Sequence, residues 1–229
     1  MCGQAMMMRP LRFFTIPSVK CVCIYISYSH CSHRNSPSDF LGVCLHHHLD
    51  EETIASTCVT LLVAGHETTT NLIGNGLYAL LQRPCQYHTL CANLDLLPTA
   101  IEEFLRFDAP VQLTGRVAQA EIIWQDAVIL PGQLATFFLG SANHDPAQFN
   151  KPNELNIIRY PNPHMAFGHG IHYCIGSTLA RMEAEIAFAT LLKRLVGLQL
   201  SNKPIHWAKN VGFRGLEALP VLFQSVLPA

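Results

Sequence analysis

Apolar and polar positions divide the chain into stretches of different character. Residues 1 to 49 alternate short apolar pieces with Ser- and His-rich ones and keep no sustained helical or strand period, so no fold is assigned to residues 1 to 38. From Asp50 the pattern becomes helical. Asp50 is the expected N-cap, Glu51 and Glu52 stand in the first turn where the helix dipole favours acids, and Arg83-Pro84 closes the segment. The middle of this long helix, Cys58 to Ala64, is apolar on nearly every face, which predicts a helix passing through a core. Gly65 and Gly74 lie inside it at a propensity cost of roughly 1 kcal/mol each, so a close approach to the backbone is expected at both.

A second helix is predicted from Pro98 to Phe107, ended by Asp108-Ala109-Pro110. Arg116 to Ala118, Glu121 to Trp124 and Leu134 to Leu139 have strand composition, and Pro131-Gly132 marks a turn between two of them. Residues 143 to 163, rich in Asn, Asp and Pro, read as an irregular loop with room for one short helix. A third long helix should start just after Cys174 and run to about Val196. The class is mainly α with a small β portion.

Composition narrows the function. A net charge of -1 with 14% charged residues lacks the basic excess that a phosphate backbone calls for, so nucleic acid is not an expected partner. Nine cysteines, an odd number at irregular spacing, fit a reducing cytoplasm better than a disulfide framework. The apolar run from Val19 to Tyr28 is interrupted by Lys20 and falls far short of the roughly 20 residues that cross a bilayer, so no membrane span is expected. Cys44-Leu45-His46-His47-His48 holds metal-ligand types, but adjacent histidines rarely converge on one ion.

The chemistry concentrates near the C-terminus. Phe167, Gly170, His172, Cys174 and Gly176 are spaced as Phe, two residues, Gly, one, His, one, Cys, one, Gly. Glycines such as Gly168 and Gly170 let a tight loop press against a flat ligand, and a cysteine ahead of a helix has N–H groups that stabilise its thiolate. This frame resembles the haem-binding signature of the cytochrome P450 family, in which the cysteine is the axial ligand of the iron. Two further blocks in the right order strengthen the resemblance. Glu103-Phe104-Leu105-Arg106 resembles the family's Glu-x-x-Arg pair, and its spacing puts both side chains on one helical face. Ala64-Gly65-His66-Glu67-Thr68-Thr69 resembles the oxygen-activation stretch of the family's long central helix. There a mid-helix Thr such as Thr68 can bond back to the carbonyl four residues earlier, Ala64, and open a groove in the ladder.

The resemblance implies a haem-thiolate monooxygenase of the soluble bacterial type, with residues 39 to 229 forming the C-terminal half of the fold: central helix, Glu-x-x-Arg helix, cysteine loop and the helix that follows it. It implies haem b held by Cys174, with Phe167, Gly168, Gly170 and Gly176 shaping the loop and Ala64 and Gly65 on the central helix beside the cofactor. Arg116 and His172 would meet the haem propionates through charge-assisted bonds. Glu67 and Thr68 would relay protons, and Glu103 and Arg106 would lock their helix to the loop preceding the cysteine. O2 is the implied co-substrate, with an apolar organic substrate and with electrons from NAD(P)H through a ferredoxin or flavoprotein reductase. Ala109 to Leu113 and the turn at Phe213 would supply further pocket wall. Two alternatives stay open at this point, a catalytically inactive remnant and a haem-binding scaffold without turnover.

Overall fold

A computed structural model describes residues 40–226; the N-terminal segment 1 to 38, with its apolar run from Val19 to Tyr28, lies outside the described residues. These residues divide into two compact units, 40 to 67 and 68 to 226.

The smaller unit holds α1 (Phe40–His46) and the first half of α2 (Glu51–Leu81). Asp50 caps α2 as expected: one carboxylate oxygen accepts the Thr53 backbone N–H at 2.8 Å and the other accepts the Thr53 hydroxyl at 2.7 Å. Those bonds hold the exposed Asp50 carboxyl below the ordinary carboxylate range. Ile54 and Cys44 are buried, with Ala55 and Cys58 packed on them. The following turn departs from the prediction of a core passage. Leu61, Leu62 and Val63 are 40%, 46% and 53% exposed, so the apolar middle of α2 faces outward.

In the larger unit the rest of α2 is inward-facing, with Leu72, Leu77, Ala79 and Leu80 buried. It stops before Pro84, and the Arg83 guanidinium donates to the Ala79 carbonyl at 2.8 Å, satisfying one of the orphan acceptors of the last turn. Neither Gly65 nor Gly74 has a described atom within 4 Å of where a Cβ would stand; the close approach falls instead on Gly76, where a Cβ would lie 2.9 Å from a ring carbon of Phe104. Asn75, wholly buried, donates to the carbonyls of Asp108 at 3.3 Å and Arg214 at 2.9 Å. Helix α2 is thereby tied to two distant segments.

Next come α3 (Pro84–Ala92) and, after a single 3-10 turn, α4 (Leu97–Phe107). Helix α4 buries Leu97, Ala100, Ile101, Phe104 and Leu105, and also Glu103 and Arg106. Its main partner is α6 (Ser177–Arg194), where the Phe104 and Phe188 rings meet at 4.9 Å between centroids. Strand β1 (Leu113–Val117) pairs antiparallel with β4 (Leu134–Phe138), Leu113 facing Phe138 and Val117 facing Leu134. This strand starts three residues earlier than its composition suggests. Between them β2 (Ile122–Trp124) and β3 (Ala127–Ile129) form a hairpin around Gln125-Asp126. The Pro131-Gly132 turn is where it was predicted, with Gly132 at φ 84°, a conformation that favours glycine.

A short helix, α5 (Leu139–Ala142), follows β4 directly and takes Leu139 out of the predicted strand. Residues 143 to 169 then contain turns but no helix, so the short helix allowed for 143 to 163 is not formed there. After α6 the chain forms two small ladders, β5 (Leu195–Val196) with β8 (Ser225–Val226) and β6 (Gln199–Leu200) with β7 (Val221–Leu222). Among the described residues no helix is long and apolar enough to cross a membrane.

Candidate functional site around Cys174

The loop from Ala166 to Gly176 is shaped by its glycines. Gly168 and Gly170 have φ of 72° and 71°, the left-handed region in which a side chain would be strained. A single 3-10 turn over Gly170–His172 carries the chain to the cysteine, with the Tyr173 N–H donating to the Gly170 carbonyl at 3.0 Å. The Cys174 N–H donates to the Phe167 carbonyl at 2.9 Å and closes the loop. Three residues later α6 begins, with Gly176 at its N-cap and the Ser177 N–H donating to the Cys174 carbonyl at 3.3 Å.

Cys174 is a free, half-buried thiol between two almost fully exposed isoleucines, Ile171 at 98% and Ile175 at 94%. His172 is exposed on the same turn. Such a surface suits a flat apolar macrocycle: a single soft ligand atom, apolar flanks and backbone without Cβ atoms at Gly168 and Gly170. Two other described cysteines, Cys58 and Cys91, are less suited. Burial and the neighbouring Cys44 thiol push the Cys58 thiol up, and burial raises that of Cys91 against the hydrogen bond from Tyr87. A raised thiol disfavours the thiolate that a metal needs.

Arg116 is exposed on β1, where its guanidinium donates to the Thr114 hydroxyl at 3.0 Å and the Gly115 carbonyl at 2.7 Å. Glu67, exposed, and Thr68, half-buried, are consecutive on α2, and Ala64 and Gly65 lie one turn before them. Val111 and Phe213 form a β-bridge, and the Gln112 N–H donates to the Gly212 carbonyl at 2.9 Å. The Ala109 to Leu113 segment and the Phe213 turn are therefore brought together.

Glu103 and Arg106 are completely buried and joined by two bonds, Nε to Oε2 at 2.8 Å and Nη2 to Oε1 at 2.9 Å. Arg106 spends its remaining donors on the carbonyls of Asn143, Pro152 and Glu154, at 2.8, 2.8 and 3.2 Å. Glu103 also accepts from the Asn156 backbone at 2.8 Å, from Arg159 at 2.9 Å and from Asn162 at 3.1 Å. The pair thus ties α4 to the irregular loop, whose shape comes from these bonds in place of a helix. Arg159 and Asn162 belong to the network and escaped sequence reasoning, because nothing in an aperiodic loop marks which cation returns to a carboxylate more than fifty residues away.

A family model described as cytochrome P450 matches residues 23–199. The chain belongs to the cytochrome P450 family. Among its P450 relatives, the biotin biosynthesis cytochrome P450 of Bacillus subtilis (strain 168) is 49% identical over 176 residues, covering 77% of this chain and 45% of the relative. Cytochrome P450 CYP107DY1 of Priestia megaterium (strain ATCC 12872 / QMB1551) is 44% identical over 197 residues, covering 83% of this chain and 48% of the relative. The solved structure of P450BioI in complex with an acyl carrier protein ligated to hexadec-9Z-enoic acid is similar with a TM-score of 0.83 at 43% identity, covering 90% of this chain and 54% of that one. The P450 enzyme CxnD, described as acting in C–S bond formation in chuangxinmycin biosynthesis, is similar with a TM-score of 0.84 at 34% identity, covering 93% and 54%. The chain spans about half the length of the curated P450 relatives it matches. The fold class read from the sequence, helices with a small β portion in a partial P450 fold, is the one found, and the family is one of bacterial haem-thiolate monooxygenases.

Proposed function

We propose that this chain carries the haem-binding part of a monooxygenase that inserts one oxygen atom from O2 into an apolar organic substrate, with electrons from NAD(P)H through a ferredoxin or flavoprotein reductase. The observation that supports it best is the half-buried Cys174 thiol, on a residue whose backbone N–H is held by the Phe167 carbonyl ahead of α6 and which stands between exposed apolar side chains. Haem b, when bound, supplies the activation of O2, one atom going to the substrate and the other leaving as water with two protons and two electrons.

Cys174 would hold the iron as a thiolate, favoured by its place just ahead of the N-terminus of α6. Gly168, Gly170 and Gly176 keep the loop low enough for close approach, and Phe167 closes it through its carbonyl. Arg116 and His172, both exposed, would bind the two haem carboxylates. By the family resemblance Glu67 and Thr68 would hold and pass the protons that O2 reduction consumes, with Ala64 and Gly65 one turn earlier on the helix. By the family resemblance the Ala109 to Leu113 segment and the turn at Phe213, joined by the Val111–Phe213 bridge, would supply wall for a hydrophobic substrate, a class consistent with the long acyl chain named for the P450BioI complex.

Coupling stoichiometry tests this reading. The chain is completed with the remaining part of a relative and supplied with a ferredoxin system and a fatty-acyl substrate. The expected result is hydroxylated product in near-equal amount to reductant consumed, and in Thr68→Ala a diversion of most O2 to hydrogen peroxide. Equal product yield per reductant in Thr68→Ala and the parent would remove Thr68 from the relay; reductant use without product in both would leave the scaffold reading in its place.

A further inference from the structure

Resting on the reading of Cys174 as the haem ligand, we propose that Glu102 and Arg181 are positioning residues for that cysteine, acting through Phe167. The two neighbouring acids of α4 divide the cysteine region between them. Glu103 holds the loop before it, and Glu102 reaches the other way, to α6 and to the start of the cysteine loop. One Glu102 oxygen accepts Arg181 Nε at 2.6 Å; the other accepts Arg181 Nη2 at 2.9 Å and His164 Nε2 at 3.0 Å. Such a two-pronged pair fixes the plane of the guanidinium as well as its place.

That plane lies against Phe167. The Arg181 guanidinium carbon is 4.5 Å from the centre of the Phe167 ring, and the His164 ring stands 6.0 Å from the same ring. Arg181 also reaches the Tyr173 hydroxyl at 3.4 Å, one residue before the cysteine. Nδ1 of His164 accepts the Ala166 N–H at 3.2 Å, which leaves Nε2 to donate to Glu102. Phe167 is therefore held by its ring, and its carbonyl is the acceptor of the Cys174 N–H. The chain of contacts runs Glu102, Arg181, Phe167, Cys174. Arg181 is itself in the second turn of α6, so the clamp ties the residues on both sides of the cysteine to α4.

Amide hydrogen exchange on the full 229-residue chain without haem tests the clamp independently of the cofactor. In Glu102→Gln and Arg181→Met, exchange in the peptide covering residues 166 to 176 should accelerate about tenfold or more, the loss expected when a charge-assisted bond is removed. Residues 143 to 162, held by Glu103, should keep their protection, and Arg181→Lys, which retains the cation and one bond, should fall between. In hemin-loaded samples the far-red-shifted reduced-carbonyl band, the signature of thiolate ligation, should shrink in Arg181→Met and recover in Arg181→Lys. Unchanged exchange at 166 to 176, or an equal loss of protection there and at 143 to 162, would overturn the proposal. Failure of the haem-ligand reading itself shows differently: the band would then be absent from the unmutated chain, whatever the exchange rates.

Discussion

At the scale of single residues the Glu103–Arg106 pair shows what burial adds to a spacing. Three residues apart on a helix, a Glu and an Arg are ordinarily an exposed ion pair worth a few tenths of a kcal/mol. Here both are without solvent exposure and Arg159 adds a second cation. Removing one partner leaves the others desolvated and uncompensated, so Glu103→Gln should destabilise the chain by about 3–5 kcal/mol. Urea denaturation checks this, and a change within that of a surface substitution would mean that the loop re-forms without its anchor. The spacing was legible in the sequence; the burial and the three loop carbonyls on Arg106 were not, since both depend on an irregular loop whose path has no period to read. Glu102 carries part of the acid dependence. Burial alone would raise its carboxyl, but hydrogen bonds from Arg181 and His164 outweigh this and hold it at about 2, against an ordinary value of 4.5. A lowered folded-state value gives stability that is fully present above about 4.5 and is lost as pH falls toward 2. Urea midpoints followed across this window should fall in the parent, and Glu102→Gln should lack that part of the acid slope.

At the scale of elements, patterning placed the three long helices and failed on what surrounds them. Asp50, Pro84 and the Asp108-Ala109-Pro110 stop act through local chemistry, so they can be read from local sequence. Among the described residues the close protein approach expected at Gly65 and Gly74 falls instead on Gly76, because proximity is decided by the partner helix, here Phe104, and not by the glycine. Thermal denaturation of two variants separates these cases. Gly76→Ala must displace Phe104 and should cost about 1–3 kcal/mol, whereas Gly74→Ala meets open space and should gain up to about 1 kcal/mol of helix propensity. Equal effects at both positions would show that helix propensity alone governs this face of α2. The strand bounds shifted by a few residues for a related reason: β1 begins at Leu113 because Phe138 pairs with it, and cross-strand pairing is invisible to composition.

At the scale of the molecule, apolar surface is left in the open. Leu61, Leu62 and Val63 on α2, Ile123 and Trp124 on the hairpin, and Phe137 and Phe138 on β4 are all at least 40% exposed. Large apolar side chains exposed in runs such as Leu61-Leu62-Val63 favour association in water. The 229-residue chain alone should therefore sediment as a concentration-dependent oligomer, shifted toward monomer by Leu62→Glu with Val63→Glu; a parent that sediments as a monomer at every concentration would mean that these side chains are covered in solution. The central claim is tested most directly by one spectrum. A hemin-loaded sample, reduced and exposed to carbon monoxide, should give the far-red-shifted band of a thiolate ligand, and Cys174→Ser should abolish it while Cys58→Ser leaves it intact. A band that survives in Cys174→Ser would contradict the assignment of the haem to this cysteine.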